Sequence, residues 1–169
     1  MGHPALRQLT QSIEPSEIDA PALQRLIDDM FDTMHEYAGI GLAAPQVHQE
    51  RRLFVAGVDA PDSNMRPIVM VNPQIELIGQ AMEEDWEGCL SVPDIRGKVA
   101  RSVEIRVRSL DRHGKPQQMT ANGFPARVIQ HETDHLNGIL FLDRMKSFES
   151  LTFLDEYDRY WDKGEQSGD

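Results

Sequence analysis

The stretch QHETDHLNG holds two histidines and a glutamate in the spacing His-Glu-x-x-His, at His131, Glu132 and His135. On a helix, residues four apart lie on one face, one turn apart, so both imidazoles can bind the same cation. Glu132 is turned about 100° around that helix, where its carboxylate can reach a water that the cation activates. The spacing therefore predicts a metal-dependent hydrolase. The alternative is an amphipathic helix whose histidines are core residues.

Two histidines leave a metal site incomplete, and the sequence offers several candidates for the third ligand. Cys89, the only cysteine, lies in the stretch EGCLS, and a thiolate is a strong ligand for iron or zinc. A free cysteine is also commonly a small buried hydrophobic residue, or a nucleophile beside a histidine base. Downstream of the histidines, Asp143 and Glu149 could complete a zinc peptidase site. The polar stretch EEDWEGCLSVP predicts a turn, which is a poor core position for Cys89, and the identity of the third ligand stays open on spacing alone.

A third stretch, GIGLAAPQV, begins at Gly39 and combines two glycines with a glutamine. Gly39 and Gly41 allow another chain to approach the backbone closely. The glycine spacing does not fit a dinucleotide-binding loop, and the stretch follows a helix rather than a strand. Gln46 carries a neutral amide that can donate a hydrogen bond to an oxyanion. The alternative is an ordinary helix end followed by a turn.

The elements that position these residues are predicted from the spacing of apolar side chains. PALQRLIDDMFDTMHEYAG has apolar residues at helical spacing and predicts a long N-terminal helix from Pro21, with Asp19 as its cap and Gly39 as its stop. FPARVIQHETDHLNG predicts a buried helix that ends near Asn137-Gly138.

Runs of β-branched residues predict strands between the two helices, at 53–58, 67–73 and 103–110, and DRHGK predicts a hairpin turn at 111–115. The fold class is therefore α+β, with antiparallel sheets and a central helix that carries the His-Glu-x-x-His motif.

Length and composition restrict the class of protein. The 169 residues predict a single catalytic domain over 1–169, with an acidic tail from about residue 149. One cysteine excludes an intramolecular disulfide, and the lone thiol without a secretory segment favours a reducing cytoplasm. The net charge of −11 argues against DNA and other broad nucleic-acid binding. No stretch approaches the roughly 18 apolar residues of a membrane span.

Three stretches in this order, GIGLAAPQ, EGCLS and QHETDHLNG, resemble the motifs of the peptide deformylase family. That family removes the N-formyl group from the formyl-methionine at the start of newly synthesised bacterial-type polypeptides and releases formate. The resemblance implies that Cys89, His131 and His135 bind one divalent metal ion. It implies Fe²⁺ in the cell, with Ni²⁺, Co²⁺ or Zn²⁺ able to substitute. A zinc metallopeptidase of the HExxH type is the alternative.

The resemblance also implies catalytic roles. Glu132 resembles the carboxylate that takes a proton from the attacking water and later delivers it to the departing amine. The amide N–H of Leu90 and the side chain of Gln46 would stabilise the oxyanion of the tetrahedral intermediate. Backbone groups of Ile40 and Gly41 would hold the substrate as an added strand.

Further residues would support these roles or bind the substrate side chain. Arg96 resembles an arginine that braces the loop around Ile40 and Gly41, and Glu87 would add support from outside the ring of metal ligands. Trp86, directly before the second motif, is expected at the rim of the substrate cleft.

The methionine side chain needs an apolar slot, for which Ile40, Phe124 and Val128 are candidates; plain core packing is the alternative for these residues. Formyl is the smallest acyl group, so a tight wall around the metal would exclude acetyl.

The expected partners are N-formyl-methionyl nascent peptides, in a bacterial-type cytoplasm. Residues 149–169 contain seven acidic and two basic residues, a composition that ribosomal RNA would repel. We therefore predict that the chain works transiently near the ribosome without docking through this tail.

Overall fold

A computed structural model describes residues 1–57 and 65–162 of the chain. The helices are α1 (Pro15–Ile18), α2 (Pro21–Glu36), α3 (Gly123–Leu136), α4 (Phe141–Arg144) and α5 (Leu154–Tyr160). The strands are β1 (Gly41–Ala43), β2 (Leu53–Ala56), β3 (Ile68–Leu77), β4 (Met82–Cys89), β5 (Val92–Ser102), β6 (Glu104–Leu110), β7 (Pro116–Asn122) and β8 (Thr152–Phe153). Two short 3₁₀ helices cover Pro4–Arg7 and Ala44–Val47.

The strands form two antiparallel sheets. One sheet has five strands in the order β1-β2-β3-β6-β7, and the other has three in the order β4-β5-β8. Helix α3 packs against the first sheet and also contacts β5 of the second. This arrangement confirms the predicted α+β class with a central motif helix.

The strands predicted from β-branched runs are confirmed where the structure describes them. The runs at 67–73 and 103–110 correspond to β3 and β6, and the turn at 111–115 joins β6 to β7. The run at 53–58 begins as β2, while Val58 lies outside the described residues.

The start of α2 differs from the prediction. Asp19 does not cap this helix, because Pro21 is the first helical residue and the capping position therefore falls on Ala20. Asp19 instead ends the short helix α1. Proline at the first position needs no partner for a backbone N–H, so the helix can begin without a side-chain cap.

The end of α2 also comes earlier than predicted. The helix stops at Glu36, and Ala38 adopts the left-handed conformation that usually selects glycine. The N–H of Gly39 then donates to the carbonyl of Met34 at 2.8 Å. Gly39 therefore follows the helix end rather than making it.

The region around Cys89 departs most from the prediction of a polar turn. It is a hairpin of β4 and β5, and only Leu90–Ser91 connect the two strands. These strands have no alternating apolar residues from which they could be predicted. Charged residues instead face each other across the hairpin, as Glu83 and Arg101 do. Cys89 ends β4 and is 9% exposed.

The end of α3 agrees with the prediction at Asn137-Gly138. Gly138 takes the left-handed conformation, with φ of 71°. Its N–H donates to the carbonyl of His135 at 3.1 Å, and the N–H of Ile139 donates to that of Asp134 at 2.9 Å. These two bonds are the usual closure of a helix by glycine, and they fix where the motif helix stops.

Two apolar clusters hold the helices against the first sheet. The cluster under α3 includes Phe54, Met70, Ile105, Ile129 and Leu136. The cluster under α2 includes Ile27, Met30, Met34, Leu53 and Val71. Because α3 is fixed by the first cluster, its histidines have a defined position relative to β1 and to the β4–β5 hairpin. Among the described residues, no helix has the length and apolar character needed to cross a membrane.

Candidate active site

Helix α3 and the β4–β5 hairpin bring one sulfur and two imidazoles together. The ligand atoms of Cys89, His131 and His135 all lie within 4.8 Å of one another, and Cys89 Sγ is 3.2 Å from His135 Nε2. In residues 1–57 and 65–162 this is the one cluster of His, Cys, Asp or Glu side chains with such geometry. Asp143 instead pairs with Arg7 and accepts from the N–H of Leu140.

The three side chains suit a divalent transition metal. One thiolate and two imidazoles are ligands that iron, zinc, nickel and cobalt accept, and three protein ligands leave a coordination position for water or substrate. His131 Nδ1 is 2.9 Å from Glu87 Oε2, the carboxylate contact that commonly orients a metal-binding imidazole. Both the donor atoms of the cluster and the contact of Glu87 with His131 therefore indicate a possible metal site.

The two histidines have opposite electrostatic environments. Burial works to lower the pKa of His131, but the contacts of its ring with Cys89 and Glu87 outweigh burial and raise that pKa to about 10. Burial lowers the pKa of His135 to about 3. The surroundings of His131 thus favour positive charge between the sulfur and the carboxylate, and a bound cation would supply that charge in place of the ring proton.

A network of buried charges surrounds Glu87, and its other members were not identified from the sequence. Arg101 donates to both oxygens of Glu87, at 2.8 and 3.0 Å, and Arg127 donates to one of them at 2.9 Å. Arg101 also pairs with Asp134, which Arg144 contacts in turn at 2.6 and 3.0 Å. Although burial opposes ionisation of Glu87, the hydrogen bonds from Arg101 and His131 lower its pKa to about 2.

This network joins the hairpin to α3 and so keeps Cys89 beside the histidines. Arg127 and Asp134 were within reach of sequence analysis, because they lie four residues before and three after His131 on the same helix. Arg101 gave no local signal, since it looks like any charged residue of a half-exposed strand.

Glu132 lies next to the cluster, against the backbone of β1. Its side chain is 4% exposed, and its Oε2 atom has no hydrogen-bond partner among the described residues. A Cβ atom on Gly41 would come within 2.3 Å of Glu132 Oε1, so only glycine leaves room for this carboxylate. Burial raises the pKa of Glu132 to about 7, a value suited to proton transfer near neutral pH.

The side-chain amide of Gln46 lies beside the sulfur of Cys89. The N–H of Ala43 donates to Gln46 Oε1 at 2.8 Å, which fixes the amide. Gln46 Nε2 then points at Ser91 Oγ, at 3.2 Å, and lies 3.6 Å from Cys89 Sγ. Leu90, in the hairpin turn, is 39% exposed and lines the same cleft.

A cavity of about 550 Å³ opens onto the cluster and includes the predicted substrate-binding residues. Ile40, Gly41, Phe124 and Val128 all line it. Val128 also belongs to the core cluster under α3, so packing and cavity lining are both true of this residue. Phe124 is 44% exposed, which sets it apart from a core residue.

Arg96 and Trp86 also line this cavity. A Cβ atom on Gly88 would meet the Arg96 guanidinium at 1.8 Å, so the arginine lies directly on the backbone of Gly88. In the described part of the chain, the hydrogen bond from Arg96 Nη1 goes to the carbonyl of Ile95, at 3.3 Å. Bracing of the Ile40 loop by Arg96 therefore stays a prediction. Trp86 lines the cavity, as expected.

Comparisons with known proteins agree with the fold and with the family that the three motifs resemble. Residues 1–150 match the family described as polypeptide deformylase. A peptide deformylase of Salinibacter ruber is 45% identical over 159 residues, covering 87% of this chain and 78% of that protein. A peptide deformylase of Ralstonia nicotianae is 42% identical, covering 92% of this chain and 89% of that protein.

Solved structures give the same result. A class I type b peptide deformylase from Acinetobacter baumannii with Met-Ala-Ser bound has a TM-score of 0.81 at 39% identity, covering 86% of this chain and 94% of that one. A Synechococcus elongatus peptide deformylase in complex with actinonin has a TM-score of 0.80 at 40% identity, covering 94% of this chain and 81% of that one.

The fold and the cluster formed by α3 and the end of β4 agree with a metal-dependent hydrolase, the class to which these relatives belong. The chain belongs to the peptide deformylase family. Its reaction is the removal of the N-formyl group from the N-terminal formyl-methionine of newly synthesised polypeptides, with release of formate.

Proposed function

We propose that Cys89, His131 and His135 bind the single divalent metal ion of this deformylase, and that this ion is Fe²⁺ in the cell. The proximity of the three ligand atoms, all within 4.8 Å, is the observation that carries the proposal. An ion held by these three side chains would supply Lewis-acid chemistry that activates a water molecule. Ni²⁺, Co²⁺ or Zn²⁺ can replace Fe²⁺, because all four accept thiolate and imidazole ligands.

Glu132 moves the protons of the reaction. Its buried carboxylate accepts a proton from the attacking water and then delivers it to the nitrogen of the departing amine. The pKa of about 7 supports both halves of this task, since the group can hold or release a proton near neutral pH. Gly41 allows the carboxylate to lie between α3 and β1, where bulk water is largely excluded.

Gln46 and Leu90 stabilise the oxyanion that forms when water attacks the formyl carbon. The Gln46 amide is held by the N–H of Ala43, so its Nε2 donors are fixed before the substrate binds. Leu90 contributes its backbone N–H from the hairpin turn, one residue after Cys89. Donors that are already oriented toward the developing charge need little reorganisation during the reaction.

The substrate backbone binds along β1, and its methionine side chain enters the cavity. β1 is at one edge of its sheet, so the backbone at Ile40 and Gly41 can pair with an extended peptide as an added strand. Ile40, Phe124 and Val128 line the cavity that would receive the methionine side chain. The enzyme meets its substrate in the cytoplasm of a bacterial-type cell, where formylated chains are made.

Formate release from formyl-Met-Ala-Ser, with acetyl-Met-Ala-Ser as control, tests this proposal. The protein is prepared without oxygen and loaded with Fe²⁺ or Ni²⁺, because a thiolate ligand makes an iron site sensitive to oxidation. We expect rapid formate release from the formyl peptide and no hydrolysis of the acetyl peptide. Cleavage of internal peptide bonds without formate release would instead support the HExxH zinc metallopeptidase.

A further inference from the structure

The N-terminal segment, residues 6–13, lies against both the end of the motif helix and the end of β4. Leu6 is buried and belongs to the apolar cluster that includes Cys89. A Cβ atom on Gly138 would come within 2.7 Å of the carbonyl group of Arg7, so the backbone of the segment lies directly on the end of α3. The segment therefore contacts both elements that carry the proposed metal ligands.

Thr10 completes the hydrogen bonding at the end of α3. The carbonyl groups in the last turn of a helix have no partner within that helix, and the glycine closure of α3 uses those of Asp134 and His135. The next carbonyl, that of Leu136, accepts from the N–H of Thr10 at 3.0 Å and from Thr10 Oγ1 at 2.8 Å. Arg52 Nη1 adds a longer contact with the same oxygen, at 3.4 Å. The buried Thr10 thus closes the carbonyl that the glycine leaves free.

His135 lacks the side-chain contact that orients His131. His131 Nδ1 is 2.9 Å from a carboxylate oxygen of Glu87. The buried Nδ1 atom of His135, in contrast, has no hydrogen-bond partner within residues 1–57 and 65–162. The orientation of this ring therefore depends on its backbone and on the packing around it. That backbone lies in the last turn of α3, directly before Leu136, where helices fray most easily.

We propose that Thr10 is a positioning residue of the metal centre. By holding the carbonyl of Leu136, it fixes the backbone of His135 in the last turn of α3. His135 Nε2 is thereby kept beside Cys89 Sγ, from which it is 3.2 Å away. The inference rests on the proposed ligand set. Ligands that are already in place lose less freedom when the ion binds, so the segment raises the affinity for metal.

Co²⁺ binding by Thr10→Val tests the proposal. Valine has nearly the shape of threonine and keeps the backbone N–H, so the variant loses the hydroxyl alone. Titration of the metal-free protein with Co²⁺, in competition with a chelator, gives the Kd, and the thiolate-to-cobalt absorption reports the bond to sulfur. We expect the Kd to rise about three- to tenfold, the usual effect of one lost hydrogen bond. Thr10→Ser, which restores the hydroxyl, should bind Co²⁺ as the wild type does.

Asn72→Gly is the matched control, because Asn72 holds the other end of the same segment. Its side chain accepts from the N–H of Ile13 at 2.9 Å and donates to the carbonyl of Ile13 at 2.8 Å. The φ of Asn72 is 51°, a conformation that glycine adopts readily, so the substitution removes both hydrogen bonds without backbone strain. We expect a lower thermal midpoint of the metal-free protein, as for Thr10→Val, but a wild-type Kd for Co²⁺.

The pattern across the variants decides between positioning and general loosening. A wild-type Kd in Thr10→Val would overturn the inference. Equal weakening by Thr10→Val and Asn72→Gly, or weak binding by Thr10→Ser, would also overturn it. Absence of the thiolate absorption from the wild type would overturn the proposed ligand set and the inference with it, whereas its presence at equal affinity in all variants would overturn the inference alone.

Discussion

Gly41 and Glu132 pack so closely that the glycine determines where the carboxylate lies. Glu132 occupies the space that a side chain at position 41 would need. Its Oε1, Cδ and Cγ atoms would lie 2.3 to 2.7 Å from a Cβ atom on Gly41. Such distances are well below van der Waals contact, so one of the two groups must move when a methyl group is added. The buried carboxylate is the group that would be displaced, because β1 is held by its pairing with β2.

For Gly41→Ala we therefore predict a loss of kcat of more than about tenfold, since a catalytic group displaced by about 1 Å loses its alignment. Metal content should stay at the wild-type level, because the three atoms nearest to the added methyl group all belong to Glu132 and none to a proposed metal ligand. Formate release and metal analysis on the same sample give both quantities. Wild-type kcat in Gly41→Ala would mean that the position of Glu132 does not matter.

In the proposed metal site, Cys89 is the ligand expected to set the metal preference. Replacing its sulfur by oxygen in Cys89→Ser exchanges a soft, strong ligand for a hard, weak one at nearly the same size. We predict that Cys89→Ser loses most of its iron and its activity, with the thermal midpoint of the metal-free protein little changed. Metal analysis after dialysis measures the first effect. Full iron content and full activity in this variant would reject Cys89 as the third ligand.

The hairpin and the motif helix are joined through ions rather than through apolar contacts alone. Arg101 is 5% exposed and bridges Glu87 of β4 and Asp134 of α3. Removing one member of such a network leaves the others as buried charges without a full complement of partners, which typically costs about 3–5 kcal/mol. The ion pairs thus fix the distance between the elements that carry the sulfur and the imidazoles.

We predict that Arg101→Leu lowers the free energy of unfolding by about 3 kcal/mol or more, while Arg106→Leu changes it by less than about 1 kcal/mol. Arg106 pairs with Glu76 on the exposed face of the first sheet, at 3.1 Å, and makes a matched control. Urea unfolding of the two metal-loaded variants measures the difference. Equal destabilisation would show that the buried network contributes no more than an exposed pair.

Elements with a clear apolar pattern were predictable from the sequence, and elements made by long-range pairing were not. Helix α3 combines an apolar face with a glycine stop at Gly138, both of which are local signals. The β4–β5 hairpin lacks such signals, because Glu83, Trp86 and Arg101 find their partners across strands or in α3. The contact of Leu154 with the cavity was also out of reach, since it depends on β8 pairing with β5.

The ligand set of the site followed from the resemblance of three motifs rather than from geometry. Spacing alone places His131 and His135 on one face of a helix. No local sequence pattern relates them to Cys89, which lies 42 residues before His131. The fold makes that relation by bringing the sulfur of Cys89, at the end of β4, within 4.8 Å of the ligand atoms of both histidines.

The charge of the whole molecule limits how it can approach the ribosome. The chain carries a net charge of −11, and residues 149–169 hold seven acidic and two basic residues. Ribosomal RNA repels such a surface, so a tail of this composition gives no electrostatic attachment. The acidic groups of α5 include Asp155, Glu156 and Asp158.

We predict that neutralising α5 with Asp155→Asn, Glu156→Gln and Asp158→Asn leaves ribosome binding unchanged or increases it. Co-sedimentation with ribosomes at about 50 mM salt, where electrostatic contacts are strongest, measures the effect. The wild-type chain run in parallel is the reference. Weaker co-sedimentation of the neutralised chain would mean that the tail docks after all.

Glu132→Gln tests the central claim, that a buried carboxylate beside a metal held by Cys89, His131 and His135 carries out the proton transfers. Glutamine has the same shape and cannot accept the proton, so the measurement is formate release from formyl-Met-Ala-Ser by the wild type and by the variant at equal metal content. We predict a loss in kcat on the order of 10²–10⁴. Formate release at the wild-type rate by the metal-loaded variant would contradict this assignment.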